Sequence, residues 1–216
     1  AVAVMIAGTI AGFLLVRQDA SWFYAIIPGD MAGGRDPAAS REALIAPLRG
    51  GPMGGDMLGA FAAFLFTHNA QIAILSFALG FAFGLPTMLL IAYNGAMLGA
   101  FLALYLPHGL GLELGGWLAI HGTTELFAIA LAGAAGFRIG LATAFPGAAT
   151  RADAAVAAGR AAGTLMAGVV VMLAIAGLLE GIGRQTIEGS ATRYLIGAVM
   201  LAGWCAYLYL PRRADG

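Results

Sequence analysis

Lysine is absent from this 216-residue chain, and charged residues of any kind make up only 10% of it. A soluble domain carries about 25% charged residues, so this composition, which is 61% apolar, excludes an ordinary soluble domain. No Asp, Glu, Lys or Arg occurs from 57 to 112. A bilayer crossing needs about 20 apolar residues, so this interval alone is long enough for two crossings. The sequence predicts an all-α integral membrane protein in contact with the lipid bilayer.

Other scarcities exclude whole classes of function. The single cysteine, Cys205, excludes a disulfide framework and a multi-cysteine metal site. The formal net charge is zero and no long basic tract occurs, so we expect no nucleic-acid partner. The chain has no nucleotide-binding loop, no glycine elbow around a serine, and no H-E-x-x-H pair of histidines. We therefore predict no catalytic residue, no enzyme activity, no cofactor and no metal.

Apolar segments alternate with short polar breaks, and this alternation predicts six spanning helices in a single membrane domain. Two of the breaks are assigned at Pro86 and Pro107, because proline cannot continue a helix without losing a hydrogen bond. Thr150 and Asp153 resemble a capping box that starts a helix ahead of the fifth span. The chain begins inside an apolar run without Met, so we expect a cytoplasmic N-terminal extension to be missing. The predicted spans are 1–16, 58–83, 87–106, 117–140, 160–181 and 192–210.

The segment 17–56 is the only long break. Asp36 as N-cap and Pro37 at the first helical position predict one short helix that ends near Leu48. Three apolar positions of this helix would lie on the membrane surface, on a partner or on the protein's own bundle; they are Leu44, Ile45 and Leu48.

Arginine placement predicts the orientation in the membrane. The break 138–160 and the C-terminus carry more arginine than acid, and positive charge accumulates on the cytoplasmic side. Both the N- and C-termini are therefore predicted to be cytoplasmic, and the segment 17–56 is predicted to be an extracytoplasmic loop.

Five polar residues within the predicted spans are candidates for a common site. His121 and Glu125 are one helical turn apart on the same face, within an otherwise apolar run. A buried ionisable group costs several kcal/mol unless it is paired or hydrated. Asn69, Asn94 and Glu180 fall in the same, outer half of the bundle, so we predict one intramembrane polar cluster. Structural roles stay open for each residue, and a metal site at His121, Glu125 and Glu180 cannot be derived from sequence alone.

Small residues recur at four-residue spacing, which lets helix backbones approach closely in lipid. The pairs are Gly8 with Gly12, Gly55 with Gly59, Gly95 with Gly99, Gly136 with Gly140, and Gly159 with Gly163. The predicted helix-packing glycines of the central helices are Gly95, Gly99, Gly122, Gly136 and Gly140.

Three motifs resemble the stage II sporulation protein M family of bacterial membrane proteins. They are N-G-A-M-L-G (94–99), I-H-G-T-T-E-L-F-A-I-A-L-A-G-A-A-G-F-R-I-G (120–140) and A-I-A-G-L-L-E-G (174–181). The resemblance covers about 61–210. Ile120 stands where the family commonly has proline. The family pattern maps onto Asn69, Asn94, Gly95, His121, Gly122, Glu125, Gly136 and Glu180.

The resemblance implies a multi-pass protein of the bacterial cytoplasmic membrane. The family's namesake belongs to the engulfment machinery of endospore formers and helps to localise two peptidoglycan-degrading partners. We therefore expect a non-enzymatic scaffold that organises cell-envelope or peptidoglycan-remodelling partners through segment 17–56 and the small-residue helix faces. The alternative is a transporter, channel or lipid-handling protein with an intramembrane His/Glu site. A homo-oligomer stays open.

Overall fold

The protein is a bundle of helices in a computed structural model that describes residues 1–49, 55–183, 186, 187 and 189–210, with only the backbone of 30 and 55–65. Within these ranges there is no strand, so the all-α prediction is confirmed. The α-helices are α1 (Val2–Gln18), α2 (Ser21–Ile26), α3 (Gly29–Ala32), α4 (Arg41–Arg49), α5 (Gly55–Ala78), α6 (Leu85–Tyr105), α7 (Gly111–Ala144), α8 (Arg151–Leu178) and α9 (Ser190–Tyr209).

Four stretches of the described chain are helical, long and apolar enough to cross a membrane: Leu85–His108, Gly111–Ala144, Arg151–Gly183 and Ser190–Tyr209. These include the short helical turns that extend α6 and α8. Helix α1 is apolar but has only 17 residues. The predicted span 58–83 falls partly on side chains outside the described residues, so the count of six stays a prediction.

Helix α7 is longer than the predicted span 117–140. Its 34 residues extend about 51 Å at about 1.5 Å per residue, whereas the hydrocarbon core is about 30 Å thick. Apolar patterning detects only the part of a helix that lies in lipid. Helix α7 is therefore longer than a perpendicular crossing requires, and its end near Gly111 packs against α9.

Glycines allow α1 to lie directly against α6. A Cβ added at Gly8 or Gly12 would overlap the backbone of Ala92 or Ala96 on α6, and one added at Gly99 would overlap the Thr9 carbonyl on α1. The contact is therefore backbone against backbone, which is the arrangement that four-residue spacing of small side chains permits.

Helix α9 packs along α7 in the same way, with glycines at the points of close contact. A Cβ at Gly197 would overlap the Ala119 carbonyl, and one at Gly115 would overlap the Tyr194 hydroxyl. That hydroxyl donates to the carbonyl of Leu112 at 3.1 Å. The rest of α9 is little covered, since Arg193 and Gly197 are its buried residues.

The segment between α1 and α5 folds over one end of the bundle. Leu44, Ile45 and Leu48 are buried in a cluster that includes Leu104 of α6 and Leu114 of α7. Of the three predicted locations for this apolar face, the structure selects the protein's own bundle.

Helix α4 begins at Arg41, whereas the prediction placed Asp36 at the N-cap and Pro37 at the first helical position. The Asp36 carboxylate instead accepts from the backbone N–H of Ala38, and the Ser40 hydroxyl accepts from the N–H of Ala43. Serine is as good an N-cap as aspartate. The sequence signal at Asp36 therefore forms a local turn, and the helix starts one turn later.

A buried arginine fastens this segment to α9. Arg193 is 4% exposed, and its guanidinium donates to the carbonyl of Leu48 at 2.8 Å and to that of Ile187 at 2.8 Å. Earlier in the same segment, the carbonyl of Ile26 accepts from the Tyr93 hydroxyl of α6 at 2.8 Å. Because all three bonds end on backbone carbonyls, they position the chain without depending on the side chains of the accepting residues.

Helix α8 starts with the predicted capping box. The Thr150 hydroxyl accepts from the backbone N–H of Asp153 at 3.1 Å and donates to the Asp153 carboxylate at 2.6 Å. Further along α8, a Cβ added at Gly159 would meet only the end of the Ile139 side chain, at 3.9 Å, and one at Gly163 would meet nothing within 4 Å. This glycine pair therefore makes no close backbone contact within the described chain.

Candidate functional site

A partly open cavity of about 290 Å³ lies inside the helix bundle. Helices α5, α6 and α7 contribute to its wall, together with α3, the segment after it and the turn that follows α8. One part of the wall is apolar and includes Met97, Leu98, Phe101, Leu118 and Leu126. The polar part is formed by Arg35, His68, Asn69, Asn94, His121, Glu125 and Glu180.

All five residues of the predicted polar cluster line this cavity. Asn69 comes from α5, Asn94 from α6, and His121 with Glu125 from one face of α7. Glu180 lies in a π-helical turn, Leu179–Gly183, that follows α8 directly. Turns of this kind are rare and occur frequently at functional sites.

The three ionisable residues of the cluster are close together. A donor atom of His121, one of Glu125 and one of Glu180 all lie within 4.8 Å of one another. The Nε2 atom of His121 is 3.7 Å from Oε1 of Glu180, which is too long for a direct hydrogen bond. His121 and Glu180 are each 4% exposed.

An aromatic neighbour restricts the His121 ring. Trp117, one turn earlier on α7, packs edge to face against it, with centroids 5.2 Å apart and planes at 89°. Edge-to-face packing is a favoured arrangement of aromatic rings. The imidazole is thus held against the wall of the cavity.

Arg35 is a cavity residue that the sequence did not indicate. Its guanidinium donates to the carbonyls of Met31 at 2.7 Å and Ala32 at 2.9 Å, and lies 4.8 Å from the Phe101 ring centroid. It is therefore bound to the last turn of α3 and stacked on α6. Gly33 and Gly34, with φ of 54° and 76°, reverse the chain just before it.

The predicted packing glycines divide into two groups. A Cβ at Gly95, Gly99, Gly136 or Gly140 would overlap the backbone of another helix or turn. At Gly122 it would meet only Leu118 on the same helix, at 3.7 Å. Gly122 lines the cavity instead, and its missing side chain leaves space next to His121.

The motifs that carry the family resemblance are therefore also the ones that line the cavity or pack its walls. A family model described as stage II sporulation protein M matches residues 1–183. The chain belongs to the stage II sporulation protein M family. The match includes every residue that lines the cavity and leaves out 184–210, which the sequence resemblance had included. Comparison with curated proteins and with solved structures finds no match.

In chemical terms the cavity offers two imidazoles, two carboxylates, two amides and one guanidinium on a largely apolar wall. Carboxylates attract a proton, a metal ion or the donor groups of a ligand, and in low-dielectric surroundings that attraction is stronger than in water. The apolar wall suits the less polar part of an amphipathic ligand. In this family member, the cavity is the place where the described residues concentrate polar chemistry.

Proposed function

We propose that this member of the stage II sporulation protein M family is a non-enzymatic protein of the bacterial cytoplasmic membrane that handles a small solute, proton or lipid headgroup in its intramembrane cavity. The observation that carries the proposal is the cavity of about 290 Å³ on which His121, Glu125 and Glu180 converge. A polar set that served only to fix helix register would pair in a closed core. Here the set lines a partly open cavity.

The orientation follows from the arginine distribution. With 138–160 and the C-terminus cytoplasmic, both termini lie inside and the segment 17–56 lies outside. The cavity is lined in part by Met31, Gly33 and Arg35 of that segment. It would therefore exchange its contents with the extracytoplasmic side.

Access to the cavity can be tested with one engineered thiol. Leu118 lines the cavity, and Cys205 is the chain's single cysteine. In a Cys205→Ser background, Leu118→Cys in intact cells should react with a membrane-impermeant maleimide from the extracytoplasmic side. If denaturant is needed before Leu118→Cys reacts, the cavity is closed to water and the proposal fails.

The function of the cavity can be tested by measuring pH-dependent flux in liposomes that contain the protein. Glu125→Gln keeps the size of the side chain and removes its charge, so the variant should fold, but lose pH-dependent flux in liposomes. Glu113→Gln is the matched control, because Glu113 lies on the same helix outside the cavity. Equal flux in both variants would remove Glu125 from the proposed activity.

A second candidate is the scaffold that organises envelope-remodelling partners. Its support is the uncovered small-residue surface: a Cβ at Gly163, Gly168 or Gly203 would meet nothing within 4 Å. Helices in lipid associate through such faces. Under this proposal, Gly163→Leu should lower recovery of partner proteins in mild detergent, as measured by mass spectrometry, while Glu125→Gln should not change transport of any solute.

A further inference from the structure

Three donor groups from two separate parts of the chain meet at one end of the cavity. Zinc-to-ligand distances are about 2.0–2.2 Å, so two ligands of a tetrahedral ion are about 3.4 Å apart. The 3.7 Å between His121 Nε2 and Glu180 Oε1 is close to that spacing. With Glu125 the whole set lies within 4.8 Å, a gap that side-chain rotation can close.

The three groups are held by regular structure. His121 and Glu125 lie one turn apart on α7, so their spacing is fixed by the helix. Glu180 is presented by the π-helical turn, in which the extra residue shifts a side chain relative to a regular α-helix. Trp117 holds the imidazole ring from one side. A metal would therefore find most of its coordination geometry already formed.

Charge favours a cation at this point. Two carboxylates in apolar surroundings repel each other and lose hydration, and either protons or a bound cation must compensate. Two other basic side chains, His68 and Arg35, line the cavity. The Arg35 guanidinium donates to the backbone carbonyls of Met31 and Ala32 and stacks on Phe101. A divalent ion beside His121 would balance both carboxylates at once.

The donor types indicate which ion. Magnesium and calcium prefer all-oxygen sites, whereas imidazole together with carboxylates suits zinc and neighbouring first-row metals. Three protein ligands leave one position for water or a ligand, which is the pattern of open zinc sites. Gly122 leaves space on the cavity side of His121.

We infer that His121, Glu125 and Glu180 bind one divalent first-row metal ion of the zinc class, with its remaining position open to the cavity. This inference rests on the proposed function in one respect, namely that the cavity admits ions and water. The inference identifies a metal ion as a species that binds in that cavity.

The test is zinc binding by the full chain in detergent. After treatment with a chelator and exposure to Zn²⁺, desalted protein should retain close to one zinc per chain by mass spectrometry, and an excess of Mg²⁺ should not displace it. His121→Ala and Glu180→Gln should each bind zinc at least about tenfold more weakly, since even residues behind the ligands cost that much. His108→Ala and Glu113→Gln, which replace the same residue types outside the cavity, should bind like the wild type.

Glu125→Gln is a second variant that removes a carboxylate. Zinc content is compared only between variants that elute in size-exclusion chromatography as one monodisperse peak at the same retention volume. Zinc retained equally by cavity variants and controls would overturn the inference, because the ion would then lie elsewhere. Absence of retained zinc in the wild type would also overturn it.

Labelling of Leu118→Cys separates this inference from the proposed function. A labelled cavity without zinc binding rejects the metal site and leaves the proposed function standing. Zinc binding without labelling supports the metal site and rejects the proposed exchange with the extracytoplasmic side. Slower labelling of Leu118→Cys in the presence of Zn²⁺ supports both.

Discussion

Trp204 of α9 donates its indole N–H to the Thr124 hydroxyl of α7 at 3.1 Å. Thr124 is fully buried and directly precedes Glu125. The bond therefore fixes the position of α9 against the part of α7 that carries the cavity residues. Helix α9 lies entirely outside the residues matched by the family model, yet it contacts the helix that carries His121 and Glu125.

A double-mutant cycle should detect this bond. Trp204→Phe keeps most of the ring volume and Thr124→Val keeps the branched shape, so both mainly remove the hydrogen bond. Interhelical hydrogen bonds in membrane proteins contribute about 0.6 kcal/mol on average and up to about 1.7 kcal/mol. We expect a coupling energy in that range from unfolding of the two single variants and the double variant in detergent. Strictly additive effects would contradict the bond.

Arg193 should matter for the fold although it lies outside the cavity. Arg193→Met removes the donors to the carbonyls of Leu48 and Ile187 and leaves two acceptors without them. An unsatisfied buried polar group costs about 1–3 kcal/mol. We expect a lower melting temperature and faster proteolysis within 17–49. Arg138→Met is the control, because Arg138 is exposed on α7 and should change neither readout.

The backbone contact between α1 and α6 predicts a contrast between two glycines. Gly99→Ala places a methyl group against the Thr9 carbonyl, so the helices must move apart. Overpacking of this kind costs about 1–3 kcal/mol. Gly163→Ala enters open space on α8 and should be neutral or stabilising by about 0.5–1 kcal/mol, since alanine favours helix more than glycine. Similar melting temperatures for the two variants would contradict the close approach.

The membership of the polar cluster could be predicted because ionisable and amide side chains are conspicuous in an apolar run. His121, Glu125 and Glu180 stand out for their energetic cost alone, and all of them line the cavity. Their common depth could be estimated from helical rise. What sequence could not supply is the empty space beside them, because a cavity depends on how several helices diverge.

Arg35 and the π-helical turn show where prediction from sequence stops. Arg35 lies in a polar loop, where an arginine carries no signal, and reaches the cavity only because the loop folds over the bundle. The turn at Glu180 follows an apolar run that is typical of a regular helix end. Both features depend on how the helices and the loop pack together, and the local sequence pattern does not determine that packing.

Substitution of Gly122 distinguishes a glycine that lines the cavity from a glycine that packs against another helix. Gly122→Leu should fold with a nearly unchanged melting temperature, because an added Cβ meets only Leu118 at 3.7 Å and the remaining atoms enter the cavity. The same side chain would cover position 118, so labelling of Leu118→Cys should slow strongly when Gly122→Leu is present. Gly99→Leu is the matched control with the opposite pattern: it should lower the melting temperature without shielding position 118 directly. A large loss of stability in Gly122→Leu would place this glycine with the packing residues after all.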